Sequence, residues 1–178
     1  MARGGFSGLA LALLLSGVSA TAQDAGGTGS AIASVVEPVR VEAVSDLDFG
    51  CIAVSGDGSV RVSALTGIGT YLGGVTRFDS GNACLTGAAE FRVTGQQGRE
   101  YRIAIDPNAE ARKIDDPAIS LAVTRLAGVS ANQPDMADAG RLDDDGRDTL
   151  RVGGTLEVSA DTAPGRYVAK IAVTVSYN

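Results

Sequence analysis

Apolar and polar residues alternate along much of the chain, and the clearest alternation lies in its last fourteen residues. Tyr167, Ala169, Ile171, Val173, Val175 and Tyr177 share one parity; Arg166, Val168, Lys170, Ala172, Thr174 and Ser176 share the other. Strand side chains point to opposite faces in turn. The pattern therefore predicts a strand over 166–176 with one buried face and one partly wet face. A strand in a terminal position frays unless something pairs with it, so this one requires a partner.

Upstream, 31–44 reads as extended, with Pro38 confining the part around it to an edge or a strand start. Further strands are expected at 47–54, 59–65, 71–78, 88–94, 100–105, 119–126 and 149–159. Turn-forming clusters divide them at 55–58, 79–82, 95–98, 106–108, 144–146 and 163–165. The Ala-rich 109–111 is expected as a short turn, and no stretch carries a sustained helical stripe. Short strands at this spacing predict an all-β, immunoglobulin-like antiparallel sandwich. Its core would draw on Phe49, Ile52, Val60, Val62, Phe91, Val93, Tyr101, Ile103, Ile105, Leu121, Val123, Leu150, Leu156 and the inward face of the last strand.

The N-terminus reads as an export signal rather than as fold. Arg3 precedes an apolar stretch from Leu9 to Leu15, and Ala20-Thr21-Ala22 is a small-x-small cleavage site. The expected division is a signal peptide over 1–22, a Gly-rich flexible segment over 23–30, and one domain over 31–178; an uncleaved anchor is the alternative. No later apolar run is long enough to span a bilayer. Export makes Cys51 and Cys84 a pair in a compartment that permits disulfides, so a single bridge is favoured over free thiols or a metal pair. Removing Arg3 with the signal leaves 14 basic and 21 acidic residues, 14 − 21 = −7. That balance argues against nucleic acid and anionic membrane surfaces as partners.

Little in the chain suggests catalysis. It contains no His, so a triad base would have to be Lys113, Lys170 or a carboxylate, and Lys170 falls on the outward parity. Nothing singles out a pair of acids for glycoside chemistry. The cluster Arg141-Leu-Asp-Asp-Asp-Gly-Arg-Asp148 invites a calcium reading through Asp143 and Asp145. Placing Gly146 at position 6 of an EF-hand loop, however, puts Arg141 at position 1 and Val152 at position 12, where acids are needed. A hairpin turn cornered at Asp145-Gly146 is the expectation. The sequence thus assigns no enzyme activity, no metal and no cofactor.

Several ordered pieces resemble a family of secreted bacterial domains, domain of unknown function 4402. They are Ala33-Ser-Val-Val-Glu-Pro38, Ser45-Asp-Leu-Asp-Phe-Gly50, Phe91-Arg-Val-Thr-Gly95 with Tyr101-Arg-Ile, Val152-Gly-Gly-Thr-Leu156, and Gly165-Arg-Tyr with Val173-Thr-Val-Ser-Tyr-Asn178. The resemblance implies an exported immunoglobulin-like sandwich and no assigned activity. The last strand also resembles that of chaperone–usher pilus subunits, with Gly165 fourteenth from the end and Tyr177 penultimate. The position of Cys51 and Cys84 resembles pilin usage as well.

That second resemblance implies an acceptor edge formed by Gly165, Tyr167, Ile171, Val173, Val175 and Tyr177. The edge would be filled first by a periplasmic chaperone (with an outer-membrane usher) and then by a neighbouring subunit's extension. The candidate donor strand is Ile32, Ser34, Val36, Val39 and Val41, although neither of its faces carries a run of large apolar knobs. The same segment could instead be the first strand of a complete sandwich, paired with the chain's own last strand. Two functions follow: a fimbria-like structural subunit of the cell surface, or a self-contained periplasmic or secreted module that binds a ligand through its loops.

Overall fold

The computed structural model describes residues 35–78 and 84–178; the expected signal peptide, the 23–30 segment, Ile32, Ser34 and the 79–82 divider lie outside them. Within that range the chain is all-β. The strands are β1 (Arg40–Ser45), β2 (Leu47–Val62), β3 (Gly69–Arg77), β4 (Ala89–Thr94), β5 (Glu100–Ile105), β6 (Ala109–Lys113), β7 (Ser120–Ser130), β8 (Ala139–Arg141), β9 (Arg147–Val158), β10 (Gly165–Ala169) and β11 (Val173–Tyr177).

Eight of them form one sheet in the order β1-β4-β9-β7-β6-β10-β2-β3, and β11-β5-β8 form a second. The larger sheet also pairs β9 with β2, which closes β9, β7, β6, β10 and β2 into a ring. This five-stranded barrel with added strands replaces the plain two-sheet picture. Every pairing in the ring is antiparallel. Strand directions cannot alternate around an odd ring, so one strand must bend. The bend falls in β2, whose residues Leu47–Ile52 pair with β10 and Gly58–Val62 with β9. Between them the register with β3 slips from Val54 to Gly58.

Ser55-Gly-Asp-Gly58, expected as a turn, is thus a bulged bend inside one long strand. Glycine is needed for the close approach of β3: a Cβ on Gly58 would lie 2.2 Å from the Leu72 carbonyl oxygen, and one on Gly74 2.4 Å from the Gly56 nitrogen. The stretch 109–111 is likewise not a turn. Ala109 and Ala111 are buried while Glu110 and Arg112 are exposed, a period-2 pattern written in small residues and paired on both sides, by β7 and β10. The three-residue β8 is a strand just before Asp143, where the expected turn required one.

The smaller sheet packs on the β4–β9–β7 part of the larger one. The Cβ position of Gly128 on β7 lies 3.2 Å from Ile105 Cδ1 of β5 and 3.3 Å from Leu150 Cδ1 of β9. One apolar core runs through both regions. Of the expected core residues, Ile105, Leu121 and, on the last strand, Val173, Val175 and Tyr177 are only partly buried and the rest are buried; Leu47, Leu142 and Val152 join them.

Candidate functional site: the edge of the last strand

The alternating stretch at 166–176 is two strands. Its apolar parity is kept throughout, with Tyr167, Ala169 and Ile171 buried and Val173, Val175 and Tyr177 half-buried. The chain nevertheless leaves the large sheet after Ala169 and joins the small one at Val173. The Ala172 carbonyl accepts a hydrogen bond from the Asp106 N–H at 3.0 Å across this corner.

β10 lies between β2 and β6. Gly165 and Tyr167 therefore cannot belong to an open edge, and Ile171 sits in the crossover; this corrects half of the expected acceptor row. Tyr167 is fully buried, and its hydroxyl donates to the Ala163 carbonyl at 2.7 Å. The remaining acceptor residues, Val173, Val175 and Tyr177, are on β11, which among the described residues pairs with β5 alone.

The candidate donor residues divide as well. Val41 is in β1, opposite Val93 of β4, and Val39 packs on the core just before it. Both belong to the domain's own wall. Among the described residues β1 pairs with β4 and not with the last strand, so the expected pairing of first strand with last is absent there. Val35 and Val36 are exposed.

Four strands stand at sheet edges among the described residues: β1, β3, β8 and β11. Exposed edges invite pairing with other chains, and proteins blunt them with charge, bulges, glycine or brevity. β1 carries Arg40 and Glu42, both exposed, and a bulge between Ala43 and Ser45. β3 contains Gly73, in the left-handed region at φ 68°, and lies along the slipped register of β2. β8 has three residues. β11, Val-Thr-Val-Ser-Tyr, has no charge, proline or glycine, and shows Thr174 and Ser176 to solvent. It is the one unblunted edge of the four. Its far end is fixed by Tyr177, whose hydroxyl accepts the Gln96 N–H at 2.7 Å and whose ring lies 5.2 Å from the Arg99 guanidinium carbon.

The small sheet is tied to the large one through a buried carboxylate. Asp148 of β9 accepts hydrogen bonds from the Tyr101 hydroxyl of β5 at 2.9 Å, from the Ser130 hydroxyl, and from the backbone N–H groups of Asn132 at 3.2 Å and Thr149 at 2.7 Å. Burial, then the charge of Asp148, holds the Tyr101 proton far above the ordinary tyrosine range. With four donors on the carboxylate and the phenol committed to it, this cluster is a structural tie rather than an acid–base pair.

Asp143 is likewise used by the fold. Its Oδ1 accepts the N–H groups of Asp145 and Arg147 at 2.9 and 2.8 Å, and Gly146 takes φ 70°. The expected turn is present, but it connects the two sheets and is not a hairpin: β8 pairs with β5, and β9 with strands of the other sheet. No cluster of three acids or cysteines converges among the described residues.

Cys51 and Cys84 form a disulfide with 4.8 Å between their Cα atoms. It ties β2 to the segment leading into β4, and closing that loop is worth about 3–4 kcal/mol on chain-entropy grounds. Beside it Arg166 of β10 forks onto Asp48 of β2, with Nε 3.1 Å from Oδ2, a cross-strand pair the sequence reading had not assembled. Its one sequence signal was Asp48 inside the Ser45–Gly50 motif.

Residues 39–177 match the family model described as Domain of unknown function (DUF4402), and the chain belongs to that family. No curated protein matches the chain. In the described residues no helix is long and apolar enough to cross a membrane.

Proposed function

We propose that this protein is a non-enzymatic, exported structural subunit that assembles by strand addition at β11, with an immunoglobulin-like sandwich formed by the small sheet and its β1–β4–β9–β7 cover. The observation that carries this is the contrast among edges: three are blunted, and β11 is uncharged, free of glycine and proline, and paired on one side only among the described residues. Because Val39 and Val41 are used in the domain's own wall, any donated segment from a neighbouring copy must lie before Pro38. On this reading the protein works in the periplasm, at the cell surface or in an extracellular filament, with like subunits and a chaperone and usher as partners.

The exported full-length protein should run as concentration-dependent oligomers in size-exclusion chromatography with light scattering. Amide exchange along β11 should be slow in the oligomer and fast in dissociated protomers. A strict monomer, or a monomer whose β11 amides are protected by its own N-terminal segment, would overturn the proposal in favour of a self-contained binding module.

A further inference from the structure

On the outer face of β3, β2, β9 and β7, away from the β11 edge, lies a hollow of about 470 Å³ whose lining includes Arg61, Ser63, Thr70, Leu72, Arg125 and Gly153. Strand register assembles it. Arg61 lies opposite Thr70 on one side and Thr155 on the other, and Ala127 lies opposite Gly153. Gly153 is there because the chain leaving β2 passes directly over it. A Cβ would sit 2.3 Å from the Val62 carbonyl oxygen and 2.4 Å from the Ala64 nitrogen.

Three observations set the hollow apart. First, its lining contains no carboxylate, in a chain where acids outnumber bases 21 to 15. Arg92, Arg112, Arg151 and Arg166 are each paired with a carboxylate. Arg61 and Arg125 have no ion pair among the described residues, although Arg125 also borders the neighbouring hollow that contains Asp138. Second, Arg125 has φ 51° at the bulge between Thr124 and Ala127. That left-handed backbone costs free energy in any residue with a Cβ, and such strain and bulges concentrate where a side chain is re-aimed for use. Third, beside the hollow though not in its lining, Thr155 lies opposite Arg61 by register, and its hydroxyl is buried with no hydrogen-bond partner, a group that folded proteins normally satisfy.

We propose that this hollow binds a small organic anion. Its carboxylate or phosphate group is held by the guanidinium forks of Arg61 and Arg125, and its apolar part rests on Leu72 and Val129. The site is independent of the β11 edge and stands whether or not the protein assembles.

The test is a titration of the full-length exported protein, followed by amide NMR, with citrate and inorganic phosphate as separate probes at constant ionic strength. Saturable shifts centred on Ala127, Gly153 and Gly154, weakened about tenfold or more by Arg61→Gln and by Arg125→Gly, are expected. A response to citrate alone assigns a carboxylate ligand, to phosphate alone a phosphorylated one, and to both the shared anionic chemistry. Arg125→Gly also relaxes the left-handed backbone, so its melting temperature should not fall, and lost binding cannot then be ascribed to unfolding. No saturable shift with either probe, or shifts that survive both substitutions, would overturn the assignment.

Discussion

β10 and β11 are drawn from one uninterrupted alternating stretch, yet they occupy opposite situations. β10 is paired on both sides inside the barrel and buries Tyr167 completely. Among the described residues β11 is paired on one side only, with β5, and it half-buries its apolar row. Equal alternation therefore does not mean equal pairing. Side-chain parity reports which face meets a core, whereas edge status depends on which other strands arrive alongside.

The sharpest way to break this contrast is to remove the aromatic ring from each half. Tyr167→Ala should destabilise the domain by about 4 kcal/mol, the range for emptying a fully buried aromatic site. Tyr177→Ala, at a half-exposed position, should cost about 1 kcal/mol. Urea denaturation of both variants checks the ratio; similar losses would mean that β11 is as deeply embedded as β10.

Next comes the tie that anchors the β11 sheet to the barrel-bearing sheet. Asp148→Ala leaves the Tyr101 and Ser130 hydroxyls and two backbone N–H groups without their shared acceptor, at a cost of about 3 kcal/mol. The same tie predicts an alkaline weakness. The folded state holds the Tyr101 proton well above the ordinary value of 10.0, while the unfolded chain releases it near that value. The stability contribution is complete below pH 10 and is lost as pH rises beyond it, by up to about 1.4 kcal/mol per pH unit. Tyr71 and Tyr167, raised by burial, add in the same direction. Denaturation midpoints between pH 8 and 11 should therefore fall off above 10, and Tyr101→Phe should reduce that slope even though it weakens the fold at neutral pH.

The smallest effect on stability belongs to the edge itself. Thr174→Lys with Ser176→Lys places charge on exposed positions of β11 and should change protomer stability by less than about 0.5 kcal/mol. It should nevertheless suppress oligomers in light scattering, because lysine on an edge strand opposes the burial that strand addition requires. Undiminished oligomers would move the assembly surface elsewhere.

Much of this molecule was legible where a residue's own geometry settles the matter. β5 was bounded correctly because Tyr101 and Ile103 alternate with Glu100, Arg102 and Ala104 between turn signals. The corner at Asp145-Gly146 was legible from a glycine free to take φ 70°, although the acid that closes it is Asp143 and the turn joins two sheets instead of forming a hairpin. Legibility failed where glycine or alanine carried a tertiary meaning. Ser55–Gly58 has turn composition but serves a bend where β3 presses on β2, and Ala109 and Ala111 are small because β6 is buried in the barrel wall. The anion-site arginines were invisible for a related reason: strand pairing and the β7 bulge bring Arg61 and Arg125 to one hollow from strands far apart in sequence.

By itself the sequence determined that this chain would form strands, which side chains would face inward, and that two cysteines were available to bridge. These are properties of single residues and of their period along the backbone. Strand partners met in space settled the rest: the last apolar stretch changes sheets after Ala169, β2 bends to close a ring, and β11 stands at a sheet edge among the described residues. Each of those outcomes depends on hydrogen-bond partners supplied from elsewhere in the chain, and alternation carries no information about which strand supplies them.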